Sequence, residues 1–230
     1  MSTATNSPSG AFTTKQPSII YILGAPGAGK GTLCSYLTQH YANVYHLSIG
    51  DHLRSLLALQ TAEASQQLLG GLSQQDFAAR MQRRELLPAS TIVAITRAAI
   101  DSIVTQASAA GHQDSIILLD GFPRSIESAR LADAVFGLPS WVFLFDCPRE
   151  LAADRFLRRR RSTDDDVGVF GKRFEEFERV NGEILELYRD RVVVFDTTMA
   201  FEKTWEEMEE TFDGCLTQLG AVKVENGIDG

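Results

Sequence analysis

The sequence predicts an α/β fold of three layers, with a central parallel sheet of five strands between helices. Five short apolar runs, typical of strands that are buried on both faces, recur along the chain. Segments with a helical spacing of apolar residues separate these runs, and this alternation is typical of a doubly wound parallel sheet. A glycine-rich loop joins the first run to the first helical segment. In such folds ligands bind at the carboxyl ends of the strands.

The predicted elements follow the apolar patterns in chain order. Strands are predicted at residues 19–23, 44–47, 115–119, 141–145 and 192–195. Helices are predicted from about 32 to 40, from 51 onward, from 88 to 107, from 149 to 161 and from 169 to 189. Residues 59–82 are rich in Gln and Ala and are interrupted by Gly70 and Gly71. They predict two or three short helices of an insertion rather than a further part of the sheet.

Composition and charge indicate a globular protein without a dedicated nucleic-acid surface. The chain has 230 residues, of which 44% are hydrophobic, enough for one core with small appendages. Its formal net charge of -8 opposes binding to a phosphate backbone, which requires clustered cations. No apolar run reaches the roughly 18 residues that a membrane span needs. We therefore expect neither nucleic acid nor a membrane as a partner, and we expect a monomer.

The cysteines and the composition of the chain ends indicate the cellular compartment of the protein. Cys34, Cys147 and Cys215 are odd in number, far apart and without a C-x-x-C pair, so neither a disulfide framework nor a zinc site is expected. Residues 1–18, rich in Ser, Thr and Pro, are predicted to be a disordered tail, and residues 221–230 a C-terminal tail. We expect a cytoplasmic protein, with the nucleus also open. A mitochondrial transit peptide at the N-terminus stays as an alternative.

The chain is organised around the loop at residues 24–32. Its glycines lack Cβ atoms, so backbone N–H groups can turn inward at the amino end of the next helix and bind phosphate oxygens. The spacing Gly24-x4-Gly29-Lys30 matches a phosphate-binding loop, with the hydroxyl that usually follows the lysine displaced to Thr32. A glycine-rich turn with a surface lysine is the alternative. The strand before the loop and the helix after it favour a nucleotide phosphate site.

Two further features fit phosphate chemistry. Asp120 follows the third apolar run, where a carboxylate can bind magnesium directly or through water; capping of the next turn is the alternative. The last two long helices and their connection contain a set of cationic residues: Arg155, Arg158, Arg159, Arg160, Arg161, Lys172 and Arg173. A charge run is usually a solvated face, but the transition state of phosphoryl transfer requires several guanidinium groups.

Four motifs stand in order along the chain. Residues 24–32 match the loop G-x-P-G-x-G-K-G-T in full, and residues 46–54 read H-L-S-I-G-D-H-L-R. Residues 120–124 read D-G-F-P-R, and two acids at 164–165 precede Lys172 and Arg173. Over residues 19–219 the chain resembles the nucleoside monophosphate kinases, the family of adenylate kinase and UMP/CMP kinase, and among them the eukaryotic UMP/CMP kinases with a short lid.

The resemblance implies a role for each matching residue. The donor ATP would bind to Ala25, Pro26, Gly27, Ala28, Gly29, Lys30, Gly31 and Thr32, with Arg155 against its adenine. The acceptor monophosphate would bind to Ile49, Arg54, Leu87, Gly121, Arg124 and Ser128. Lys30, Arg124, Arg159 and Arg173 would act in catalysis, and Asp120 would hold Mg²⁺ through water. Within a kinase domain at 19–220, residues 49–87 would form a helical monophosphate-binding insertion and residues 161–169, with Arg161, Asp164 and Asp165, the lid.

The chain departs from the family pattern at several positions. Family lids usually read S-G-R before the two acids, where residues 161–163 here read R-S-T, so Arg158, Arg160 or Arg161 is the candidate for one phosphate-binding arginine. Arg84 stands where family members commonly have glycine. For the base, adenylate kinases usually have Thr at 49 and Gln at 128, and UMP/CMP kinases usually have Ala and then Asn or Gln. Ile49 and Ser128 match neither pattern.

The predicted activity is transfer of the γ-phosphoryl group of MgATP to a nucleoside monophosphate, with UMP and CMP favoured over AMP. The products would be ADP and a nucleoside diphosphate. The alternatives are an adenylate kinase, which takes AMP, and a nucleotide-binding protein that has lost catalysis. Arg54, Arg124, Arg155, Arg159 and Arg173 are all present, which favours an enzyme. A GTPase is disfavoured because no N-K-x-D stretch appears.

Overall fold

The computed structural model describes residues 16–58, 69–159 and 166–224 and contains a parallel sheet in the order β2-β3-β1-β4-β5. The strands are β1 (Ser18–Gly24), β2 (Val44–Ser48), β3 (Ile116–Asp120), β4 (Trp141–Asp146) and β5 (Val192–Asp196). All pairings are parallel, and β1 lies between β3 and β4. The predicted fold class is confirmed, with each strand within two residues of its predicted bounds.

Helices alternate with the strands along the described parts of the chain. They are α1 (Lys30–His40), α2 (Ile49–Ala58), α3 (Gln74–Arg83), α4 (Ala89–Ala109), α5 (Ile126–Phe136), α6 (Arg149–Arg159), α7 (Val167–Leu187) and α8 (Phe201–Gln218), with a 3₁₀ turn at Arg189–Arg191. Helix α4 begins at Ala89, one residue after its predicted start, and Pro88 is its N-cap. None of these helices is both long and apolar enough to cross a membrane.

Strand β1 separates two hydrophobic layers because successive side chains point to opposite faces of the sheet. Ile20 and Ile22 pack on one face with residues of α1, α6 and α8. Ile19, Tyr21 and Leu23 pack on the other face with residues of α4, α5 and α7. Helices therefore cover both faces of the sheet, and the apolar run of β1 is buried throughout.

The chain ends differ from the predicted boundaries. Strand β1 begins at Ser18, whose N–H donates to the carbonyl oxygen of Ser115, so Ser18, predicted as the last residue of the N-terminal tail, belongs to the sheet. Residues 221–224 are not a free tail, because they pack against the connection between α1 and β2. Asn43, which is 2% exposed, accepts from the backbone N–H of Val222 and donates to the carbonyl oxygens of Asp114 and Gly220.

The insertion predicted at residues 49–87 contains α2 and α3, while residues 59–68 lie outside the described residues. A small apolar cluster of Leu56, Leu69, Phe77 and Ile95 joins these helices to α4. Helix α3 ends at Arg84, the one non-glycine residue with positive φ among those described, at 58°. This left-handed conformation favours glycine, which accounts for the glycine that the family commonly has there.

Candidate functional site

The predicted phosphate-binding loop forms an open turn between β1 and α1. Helix α1 begins without a side-chain cap, since its N-cap is Gly29 in the left-handed conformation, and the N–H groups of the first turn face the loop. Gly27 also has positive φ, and a Cβ there would overlap the carbonyl oxygen of Ala152 at the start of α6. The loop therefore has the backbone geometry of an anion site and requires glycine at residue 27.

Lys30 is the cation of this loop. Its ammonium group donates to the carbonyl oxygens of Gly24 and Ala25, at 2.8 and 2.9 Å, and so lies folded over the loop. Burial lowers the pKa of Lys30; the charge of Asp120 opposes this shift, and the charges of Arg124 and Arg159 add to it. These couplings place four charged groups from separate parts of the chain in one electrostatic environment.

Asp120 ends β3 beside the loop, since it lies opposite Ile22 in the register of β1 and β3. Nε2 of His46, on β2, lies 3.4 Å from Oδ2 of Asp120. Burial by itself raises the pKa of Asp120, but the hydrogen bond to His46 and the charges of Lys30 and Arg124 outweigh it and lower the pKa below its ordinary value. The carboxylate is therefore ionised at neutral pH and stands at the carboxyl end of the sheet.

Arg54 and Arg124 converge on the backbone of Gly50. A Cβ built on Gly50 would lie 3.6 Å from Nη1 of Arg54 and 3.9 Å from Nη2 of Arg124. Nε of Arg124 donates to the carbonyl oxygen of Gly121 at 2.9 Å, and a Cβ on Gly121 would lie 3.2 Å from Nη2 of the same arginine. Small residues at 50 and 121 thus leave room for two guanidinium groups side by side.

The arginines predicted for the transferred phosphoryl group lie over one aromatic ring. Cζ of Arg159, at the end of α6, is 5.1 Å from the ring centroid of Phe156, and Cζ of Arg173, on α7, is 5.8 Å from it. Arg159 also contributes to the lowered pKa of Lys30, so it lies within electrostatic reach of the loop. The lid residues Arg161, Asp164 and Asp165 lie outside the described residues; Asp166 caps α7, which begins inside the predicted lid.

Comparison with known proteins identifies the family. The model of the adenylate kinase family matches residues 22–193, which include most of the sheet and the residues described above. The chain belongs to the adenylate kinase family. This confirms the predicted recognition of a nucleoside monophosphate kinase and of an ATP-dependent enzyme.

Three relatives illustrate the range of this family. UMP-CMP kinase 3 of Arabidopsis thaliana is 29% identical over 86% of this chain and 90% of its own length. Uridylate kinase of Saccharomyces cerevisiae is 29% identical over 93% of this chain and 100% of its own length. Adenylate kinase isoenzyme 1 of Homo sapiens is 27% identical over 91% of this chain and 97% of its own length. The similarity extends over most of the chain in each case.

Ser128 was predicted to contact the acceptor base, but in this member of the adenylate kinase family it lies in a helix cap. The residue is 3% exposed, and its side chain completes a capping box at the start of α5. Its hydroxyl donates to the carbonyl oxygen of Ser125 at 2.9 Å and accepts from the backbone N–H of Ser125 at 3.2 Å. Because these bonds use the hydroxyl, the geometry does not support the prediction that Ser128 faces the acceptor base.

The other base and donor residues are also engaged in packing or hydrogen bonds. Ile49 is 2% exposed in the core on one face of the sheet, and Leu87 packs against the small cluster of the insertion. The guanidinium of Arg155 donates to the carbonyl oxygens of Thr197 and Met199, at 2.6 and 2.8 Å. Arg155 thus holds the loop between β5 and α8.

Sequence reasoning missed two titratable neighbours of the residues in the family motifs. His46 was part of a recognised motif, but only the pairing of β2 with β3 places it against Asp120. Glu176, on α7, opposes the effect of burial on the pKa of Arg124 through its charge. A helical periodicity indicates that Glu176 lies on one face of α7, but no local pattern indicates that this face is turned towards Arg124.

Proposed function

We propose that this chain transfers the γ-phosphoryl group of MgATP to a nucleoside monophosphate and prefers UMP and CMP to AMP. The observation that carries the proposal is the arrangement of four side chains: Lys30 lies over the glycine loop, Asp120 ends the neighbouring strand β3, and Arg124, bonded to the carbonyl oxygen of Gly121, lies next to Arg54. These groups stand at the carboxyl ends of β1 and β3, where ligands bind in doubly wound sheets. The arrangement provides separate cations for a donor and for an acceptor phosphate.

The proposed roles follow from the positions of the cations. The loop N–H groups and Lys30 bind the donor phosphates, and Arg54 and Arg124 bind the acceptor phosphate. Arg159 and Arg173, which lie over the ring of Phe156, neutralise the phosphoryl group in transfer. Phosphoryl transfer depends on in-line placement and charge neutralisation more than on a strong base. The loop N–H groups, Lys30 and the arginines are the types of group that this chemistry requires.

Magnesium enters with the nucleotide in this proposal. Among residues 16–58, 69–159 and 166–224, no three His, Cys, Asp or Glu side chains are grouped so that they could hold a metal ion by themselves. Mg²⁺ retains several waters and often binds through one carboxylate plus substrate phosphates. The single ionised carboxylate of Asp120 beside the loop fits that mode, with a water between it and the ion.

The preference for UMP and CMP is supported by the printed names of two relatives, a UMP-CMP kinase and a uridylate kinase, at 29% identity. The human relative, an adenylate kinase at 27% identity, supports the alternative acceptor AMP. A coupled assay with MgATP and each of AMP, UMP and CMP tests the proposal directly. We expect kcat/KM to be higher for UMP and CMP; a tenfold advantage of AMP would replace the pyrimidine assignment with adenylate kinase activity.

We propose that the enzyme acts as a monomer in the cytoplasm. Cys34, Cys147 and Cys215 are all buried as free thiols, which agrees with a reducing compartment. Light scattering of the full chain at the concentration of the assay would measure its mass. A mass near 25.3 kDa is expected, and twice that value would contradict the monomer.

A further inference from the structure

Phe156 is a buried aromatic residue whose ring lies beside two arginines that are predicted to act in catalysis. Its side chain is 0% exposed, and the guanidinium carbons of Arg159 and Arg173 lie 5.1 and 5.8 Å from its ring centroid. Arg159 follows on the same helix, α6, whereas Arg173 comes from α7. The ring therefore contacts cations from two different helices.

The ring itself is held in place by other aromatic residues. Phe156 contacts Phe170 with ring centroids 5.6 Å apart, and Phe170 contacts Phe174 at 5.5 Å. Phe170 and Phe174 are 3% and 6% exposed and belong to the same core as Phe156. Because closely packed side chains have little freedom to move, Phe156 offers the arginines a fixed surface.

An aromatic ring at this position is electrostatically favourable for the two arginines. Two guanidinium groups repel each other, and Lys30 adds a third positive charge, since Arg159 contributes to its lowered pKa. The face of an aromatic ring carries negative potential and attracts a cation within about 6 Å of its centroid. An aliphatic side chain would fill the same space but would not offset the repulsion between the arginines.

We propose that Phe156 is a positioning residue for phosphoryl transfer, which holds Arg159 and Arg173 together before the nucleotides bind. The inference rests on the proposed kinase function. It assigns to residue 156 a role that acts through the two arginines and not through contact with substrate. Because both arginines already lie against the ring, less ordering remains to be done when the phosphates arrive, and the benefit falls on the transfer step.

The test is a series of fluorinated phenylalanines at position 156 in the full chain. Fluorine atoms weaken the negative potential of the ring face and change its shape little, so they separate the cation interaction from packing. We expect kcat with MgATP and the best monophosphate to fall stepwise with each fluorine, by about fivefold in total, the scale of one cation–π interaction. KM for both substrates and the melting temperature should change little.

Phe170 provides the matched control. It is buried in the same cluster, and no guanidinium lies over its ring among the described contacts. The same series at position 170 should leave kcat unchanged. NMR of the unliganded protein adds a readout that is independent of turnover: ring-current shifts on the side chains of Arg159 and Arg173 should be present in the wild type and lost in Phe156→Leu.

The possible outcomes distinguish the positioning role of Phe156 from the proposed kinase function. A flat kcat across the series at position 156 in an active enzyme overturns the positioning role alone, as does an absence of ring-current shifts on both arginines. A kcat that falls only in parallel with the melting temperature also overturns it, because packing would then explain the loss. A wild type that is inactive with MgATP and every monophosphate contradicts the proposed function, and the positioning role with it.

Discussion

The guanidinium groups of Arg54 and Arg124 meet at Gly50, although one arginine comes from α2 and the other follows β3. A Cβ built on Gly50 would lie 3.6 Å from Nη1 of Arg54 and 3.9 Å from Nη2 of Arg124, so both groups approach the same point of the backbone. Carboxylates lie near each arginine: Asp51 is paired with Arg54, and the charge of Glu176 acts on Arg124. This pair of guanidinium groups is the structural basis for assigning the acceptor phosphate to this part of the site.

Arg54→Ala and Arg124→Ala should each raise KM for the monophosphate by about tenfold or more and lower kcat. A hydrogen bond to a charged group contributes about 1.5–3 kcal/mol, which sets this scale. KM for MgATP should stay nearly unchanged, because both residues are assigned to the acceptor. Steady-state kinetics with each substrate varied measures both values. Arg97→Ala is the control, since Arg97 pairs with Asp101 on α4. An equal rise in KM for MgATP would contradict the assignment.

Lys30→Met should lose most turnover without lowering the melting temperature of the unliganded protein. Burial lowers the pKa of Lys30, so the charged form is less favourable in the folded chain than in the unfolded chain. Linkage then predicts that this cost is present below the folded pKa and is relieved as pH rises towards 10.5, the pKa of an unperturbed lysine. Methionine removes the charge at every pH, so the melting temperature should not fall.

The measurement for Lys30 combines kinetics with thermal unfolding. Turnover should fall because the ammonium group follows the charge that develops on the phosphates, while the loop amides still bind ATP. Turnover close to that of the wild type would remove Lys30 from the proposed mechanism. A large drop in melting temperature would show instead that its bonds to Gly24 and Ala25 maintain the loop.

Ser128→Ala should destabilise the protein by about 1 kcal/mol, the usual loss for a helix cap, without changing the choice of base. The hydroxyl completes the capping box of α5 and is 3% exposed, so its removal affects the helix rather than the acceptor. Denaturant unfolding measures the first effect, and the ratio of kcat/KM for UMP and AMP measures the second. Ser102→Ala, on an exposed turn of α4, serves as the control. A changed ratio with unchanged stability would restore the base-reading role.

Asp133→Asn should stabilise the protein relative to the wild type at neutral pH. The hydroxyl of Tyr188 donates to Oδ1 of Asp133 at 2.8 Å, and an amide oxygen can accept the same bond. Burial raises the pKa of Asp133, against the opposing effects of that bond and of Arg191. An acid whose folded pKa lies above its unfolded value of 3.8 reduces stability as pH rises from 3.8 through the folded pKa.

The gain in the free energy of unfolding from Asp133→Asn should therefore be small near pH 4 and should grow as the carboxyl group of Asp133 ionises in the wild type. Denaturant unfolding of both proteins across this range measures the difference in the free energy of unfolding. Asp190→Asn is a suitable control because the side chain of Asp190 is 92% exposed. An advantage that does not depend on pH would contradict the assignment of a raised pKa to Asp133.

Local patterns in the sequence were sufficient for the sheet and for the phosphate loop. The five apolar runs became β1 to β5, and burial on both faces accounts for the runs of β1 and β3, which are buried almost throughout. The loop at residues 24–32 was recognisable because its glycines and Lys30 are neighbours in the chain. The chain ends were predicted less well: Ser18 joins β1, and residues 221–224 pack through Asn43, a contact between distant parts of the chain.

The sequence by itself determined the fold class, the family motifs and the residue types available to bind phosphate, since these depend on periodicity and on short spacings. Only the tertiary structure decided which side chains share an environment. It placed His46 against Asp120, committed the hydroxyl of Ser128 to a helix cap and set Arg159 and Arg173 over the ring of Phe156. The physical reason is that such contacts join residues from different elements, and their geometry follows from how helices and strands pack rather than from any local pattern.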